Sequence, residues 1–72
     1  MTPEMIPTPE SGTVLEIGYD HALEEVWVTF RTSGTYVYSQ VAEVVWLEFL
    51  AAGSKGQFVN NVLKGAYPYR RL

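Results

Sequence analysis

The sequence predicts a small α+β domain, a three-stranded antiparallel β-meander with two helices packed on one face. Two patterns predict it. From Glu25 to Tyr38, β-branched and aromatic residues alternate with period two on either side of a short loop containing Gly34. From Val41 onward, apolar residues recur at helical spacing instead, interrupted at Gly53-Ser54.

Residues 1–10 carry Pro3, Pro7 and Pro9. Proline removes backbone donors and biases its predecessor to extended conformations, so a flexible or extended tail is expected there. A single domain is expected over residues 11–72, closing on a short extended C-terminal tail. Val14 to Ile17 reads as the first strand, ended by Gly18, with a turn around Tyr19-Asp20-His21-Ala22. Adjacent Asp and His can form part of a catalytic set. The chain has no cysteine and no serine in a strand-to-helix elbow, so a solvated turn is the expectation.

In the hairpin, Val26, Val28 and Phe30 share the core face, and Trp27 and Thr29 face away. A three-residue loop, Thr32-Ser33-Gly34, places Gly34 at a positive-φ position. Phe30 then pairs with Tyr36 and Val28 with Tyr38, leaving Val37 on the face opposite the core. A four-residue loop would shift the register by one and swap the faces of the second strand.

Val41 to Ala52 lacks turn residues and is too long for a further meander strand, so it reads as a helix with Gly53 just past its end. Val41, Val45, Phe49 and Ala52 fall in one arc, with Trp46 at its flank, and this arc should pack on the hairpin. Val44, Leu47 and Ala51 fall in another arc, beside Glu43 and Glu48. Ser54 followed by Gln57 is a capping box opening a second helix, with Phe58, Val59, Val62 and Leu63 on its apolar face. Gly65 ends it, and residues 67–72 read as extended.

Charge is divided unevenly. Residues 1–50 hold all eight acids and one arginine, a net of −7, whereas residues 51–72 hold Lys55, Lys64, Arg70 and Arg71 and no acid, a net of +4. With no cysteine and one histidine, neither a disulfide framework nor a common zinc site is expected, and no cofactor is implied. No apolar run reaches the roughly 20 residues of a membrane span. No signal peptide is visible, so a cytoplasmic protein that does not engage membranes is expected.

Several features taken together resemble a known family. These are Gly18-Tyr19-Asp20 after the first strand, Val26, Val28 and Phe30 in the second, and Tyr36-Val37-Tyr38. The helix starting at Val41, the run Ala52-Gly53-Ser54-Lys55-Gly56-Gln57-Phe58, Asn60 and Tyr67 complete the set. In order and spacing they are similar to the KTSC domain, over about residues 11–71. That domain is named for its occurrence at the C-terminus of some lysyl-tRNA synthetases and also occurs as a stand-alone protein in bacteria and phages. The resemblance implies no established activity, and an RNA-binding role has been suggested from the synthetase context. The family usually has Val-Pro where this chain has Val41-Ala42, and polar residues at the positions of Val44 and Leu47.

An enzyme is not expected: there is no nucleophile–base pair, metal cluster or phosphate loop, and little room for a substrate-burying pocket. The first expectation is a protein–protein interaction module using Trp27, Val37, Val44, Leu47 and Ala51. Its partner would be a larger protein or assembly such as the transcription or translation machinery, engaged by a bacterial or phage-type regulator. The second is nucleic-acid binding. It would use an anion site at Ser54, Lys55 and Gly56, with Lys64, Tyr67, Tyr69, Arg70 and Arg71 adding phosphate contacts and stacking. The acidic balance, with a pI near 4.9, weighs against it.

Overall fold

The structure is a computed structural model and describes residues 2–72. A five-stranded antiparallel sheet is built in meander order from β1 (Met5–Pro7), β2 (Val14–Asp20), β3 (Glu25–Phe30), β4 (Gly34–Tyr38) and β5 (Tyr69–Arg71). Helix α1 (Glu43–Ala51) and helix α2 (Lys55–Phe58) lie between β4 and β5 in the chain, and α2 runs on into a π-helical turn, Val59–Leu63. The α+β architecture with two helices agrees with the sequence, and the strand count is corrected from three to five.

Both added strands come from segments expected to be tails. Met5–Pro7 pairs with β2, so residues 2–10 of the expected proline-rich tail are not simply loose, and residue 1 lies outside the described residues. Ile6 pairs with Ile17, and Thr8 N–H donates to the Leu15 carbonyl, so Ile6 and Thr8 turn their backbone groups toward β2. Pro7 therefore sits where its missing N–H would have pointed outward, and the strand loses nothing by it. At the other edge Tyr69–Arg71 pairs with β4, flanked by Ser39 N–H to the Pro68 carbonyl and Leu72 N–H to the Thr35 carbonyl. Short edge strands need only backbone pairing, which leaves no strong side-chain period.

The hairpin register differs from the expected one by two residues. Val28 pairs with Tyr36 and Val26 with Tyr38, so the loop is Arg31-Thr32-Ser33 and Gly34 opens β4 opposite Phe30. Gly34 does take positive φ, at 91°. A two-residue slip keeps every side chain on its expected face, and here it also brings the Thr29 and Thr35 hydroxyls together at 2.9 Å.

The core lies between the inner sheet face and the helices. Val14, Ile17 and Tyr19 from β2, Val26 and Val28 from β3, and Tyr38 meet Val41, Trp46, Phe49, Val59 and Leu63. A bulge between Val14 and Glu16 restores the alternation along β2 after the extra residue Leu15. Three helix-borne contacts are aromatic: Tyr19 stacks on Trp46 at 5.5 Å, Trp46 meets Phe49 edge-on at 6.0 Å, and Phe49 stacks on Phe58 at 4.9 Å. Helix α1 begins two residues later than the pattern suggested. Val41 is instead tied down as a connector, its N–H bonded to the Glu24 carbonyl and its own carbonyl to the Tyr19 hydroxyl at 2.6 Å.

Phe49 is fully buried, and Phe49→Ala should lower unfolding free energy by about 3–5 kcal/mol, read from chemical denaturation. Tyr19 and Tyr38 give a second expectation. Burial raises the pKa of both, helped at Tyr19 by Glu24, Glu43 and Asp20 and at Tyr38 by Tyr36 and Tyr69. The unfolded chain then loses these protons first. The stabilisation is complete below about pH 10 and is lost as pH rises through the folded pKa values. Tyr19→Phe should cost about 0.5–1.5 kcal/mol at neutral pH and make that alkaline decline shallower in a pH series of denaturation curves.

Candidate protein-binding surface

Helix α1 is apolar nearly all round, broken only by Glu43 and Glu48. Its inward side carries the buried Trp46 and Phe49 and the half-buried Val45, as the helical spacing predicts. The outward side carries Val44 and Leu47, 61% and 54% exposed, together with exposed Leu50 and Ala51. Leu47 and Leu50 are three residues apart and so adjoin on the helix surface. Beside Leu50, a groove of about 540 Å³ is lined by Ile6, Tyr19, His21 and Trp46 among others. Ile6 is itself exposed and reaches the core side of the sheet because it pairs with Ile17. The result is an apolar ridge on α1, with exposed Ile6 of the edge strand lining the same groove as Leu50.

Acid flanks this ridge, and Lys55 stands at its C-terminal end. Glu43 and Glu48 flank it on α1, and Glu4 and Asp20 border the groove. His21 Nδ1 stands 3.4 Å from the Glu43 carboxylate, with both side chains exposed. The Asp20 carboxylate accepts the Ala22 and Leu23 N–H groups, each at 3.0 Å, closing the β2–β3 turn. This is the structural role expected of a turn residue, in which the carboxylate stands in for a backbone carbonyl.

The other expected partner residues sit differently. Val37 faces away from the core, yet it is 0% exposed. It lies between Trp27 on β3 and Arg70 on β5. To reach Glu25 on β3, the Arg70 side chain crosses β4 beside Val37 and grips the carboxylate through both terminal nitrogens, at 2.9 and 3.3 Å. That hydrogen bond also raises the Arg70 pKa. Trp27 is half-buried, and its Nε1 is enclosed with no partner among the described residues. It pairs across the sheet with Gly18, whose outer side is filled by Met5 and Pro3. On the sheet face expected to be open, Val37 is thus closed over and offers nothing to a partner, whereas Trp27 keeps part of its surface exposed.

The expected anion site is likewise used internally. Ser54 Oγ accepts the Gln57 N–H at 3.2 Å. Lys55 Nζ donates to the carbonyls of Ala52, at 2.6 Å, and Leu50, at 3.1 Å, so it caps the C-terminus of α1. A Cβ on Gly56 would stand 2.7 Å from Thr13 Oγ1, which assigns that glycine to close packing. Tyr67 packs against the core. Tyr69 and Arg71 do share a face with Tyr36 and Tyr38. Lys64 joins those three tyrosines around a groove of about 320 Å³, and Arg71 lies 5.9 Å from the centre of the Tyr36 ring. Leu50 on the ridge and Ile6 in the groove beside it are the residues that sequence reasoning missed. Leu50 was legible from its i+3 spacing to Leu47, whereas Ile6 was hidden by the prolines around it.

The KTSC domain family model matches residues 10–67, more than half of the chain. The chain belongs to the KTSC domain family. The crystal structure of a KTSC domain protein from Yersinia pestis superposes with a TM-score of 0.93 at 35% identity, covering 99% of each chain. A protein of Tsukamurella paurometabola is 38% identical over 55 residues, 76% of this chain and 82% of its own length. The match to the Yersinia KTSC protein extends over both edge strands, which lie at or beyond the limits of the family model.

Proposed function

We propose that this KTSC domain is a non-enzymatic protein-binding module that docks the α1 ridge onto a larger protein carrying basic residues. The observation that carries the reading is the exposure of Val44 and Leu47 on a helix whose opposite side is fully engaged in the core. Exposed apolar side chains in a contiguous ridge add nothing to folding, whereas burial in a partner contributes roughly 1.5–3 kcal/mol for each. The acids around the ridge favour a basic rim on the partner and would steer its approach. Candidates are components of the transcription or translation machinery.

Leu47→Glu tests this reading. The substitution should change stability by no more than about 0.5 kcal/mol. It should abolish capture of the proteins that the wild-type domain retains from a cell lysate at low salt, since it would bury an unpaired charge. Unchanged capture by a folded Leu47→Glu domain would remove the ridge as the docking surface.

A second reading, single-stranded nucleic acid, is favoured by the tyrosine groove with Lys64 and Arg71. Two of the four basic residues of the C-terminal segment are already committed, Lys55 to backbone carbonyls and Arg70 to Glu25. Binding should accordingly be weak and steeply salt-dependent. A titration of short single-stranded RNA at low salt, followed by amide shifts at Lys64, Tyr69 and Arg71, would show it, and unperturbed amides would exclude it.

A further inference from the structure

The two edges of the sheet are not equivalent. On β1 the outward-facing backbone positions are Met5 and Pro7, and Pro7 has no N–H to offer. Pro3 and Pro9 remove further donors on either side. On β5 the bonds from Leu72 to Thr35 and from Ser39 to Pro68 set the opposite condition. Residues 68, 70 and 72 turn toward β4, so Tyr69 and Arg71 present both N–H and C=O to the outside. Neither group has a partner among the described residues.

We propose that β5 is a homodimerisation edge, to which a second copy of this chain adds its own β5 antiparallel about a two-fold axis at Arg70. The strand is self-complementary in that register. Tyr69 falls opposite Arg71 of the second copy, and both have outward backbone groups, so each such pair exchanges both N–H···O bonds. Their side chains lie on the same face as Tyr36 and Tyr38. Each guanidinium therefore meets a tyrosine ring of the other copy, extending the cation–π contact that Arg71 already makes with Tyr36. The facing Arg70 residues would repel, but each is already neutralised by the fork to Glu25. Leu72, 63% exposed, comes opposite Pro68 of the second copy. The proposal goes beyond the α1 ridge and does not depend on it.

Such a short edge is smaller than a standard stable interface, so dimerisation is expected only at about 0.1–1 mM protein. Sedimentation equilibrium of the full chain should show a reversible dimer in that range. Arg71→Pro removes an outward N–H while leaving the bonds to β4 in place, and should weaken the dimer about tenfold or more. Leu47→Glu should leave it unchanged. Arg70→Cys supplies the sole thiol of the chain, and facing Cα atoms about 4.5 Å apart in a non-hydrogen-bonded pair can be bridged. That variant should oxidise to a covalent dimer faster than a Thr2→Cys control. A monomer at about 1 mM, or a dimer that Leu47→Glu dissolves and Arg71→Pro spares, overturns the proposal. If Arg71→Pro fails to fold by circular dichroism, the cross-link decides: oxidation of Arg70→Cys no faster than the control also overturns it.

Discussion

The passage from sheet to helix depends on how Val41 is held. Its N–H is bonded to the Glu24 carbonyl and its carbonyl to the Tyr19 hydroxyl, and its side chain is fully buried. Gln40, just before it, has φ of 62°, and Glu24, across from it, has φ of 54°. These are uncommon values for non-glycine residues and persist only where surrounding contacts over-determine them. Here the hydrogen bonds from both sides of Val41 do so. Without this clamp nothing in the sequence sets the entry of α1, since Ala42 supplies no side-chain cap. Once α1 is placed, Trp46 meets Tyr19, Phe49 meets Phe58, and the second helix closes the core.

Charge in this KTSC domain is organised by use more than by position along the chain. The basic C-terminal segment looks available in one dimension. In three, Lys55 neutralises the carbonyl end of α1, Arg70 ties β5 to β3 across β4, and Arg71 lies near Tyr36. The acids of α1 have fewer internal obligations. Glu43 has His21 within reach, both being exposed, and such surface pairs contribute little. The asymmetry therefore leaves an acidic helix surface around an apolar ridge, with Lys55 drawn into capping α1 and Arg70 into holding the sheet edge.

Legibility followed burial. Val26, Val28, Phe30 and Phe49 announced their faces because each belongs to an element with one side fully in the core, where period and burial coincide. The ridge residues Val44 and Leu47 were legible for the same reason, as the positions that helical spacing leaves over. Prolines pointed away from a strand at residues 1–10, and they do so correctly for a central strand. At an edge, Pro7 turns its missing donor to the outside. The covering of Val37 could not be read either, because it depends on Arg70, which is distant in sequence, crossing a strand to reach Glu25.

Composition and periodicity determined the α+β class, the inner faces of the hairpin and of α1, and the cap at Ser54. These are local properties, decided by side-chain alternation and by bonds within a few residues. Tertiary structure decided the number of strands, the two-residue register of the hairpin and the fate of the basic residues. Each depends on backbone pairing or long side chains linking segments far apart in the chain. Any segment in extended conformation can donate such bonds, so which segments do so is settled only when the core has placed their neighbours.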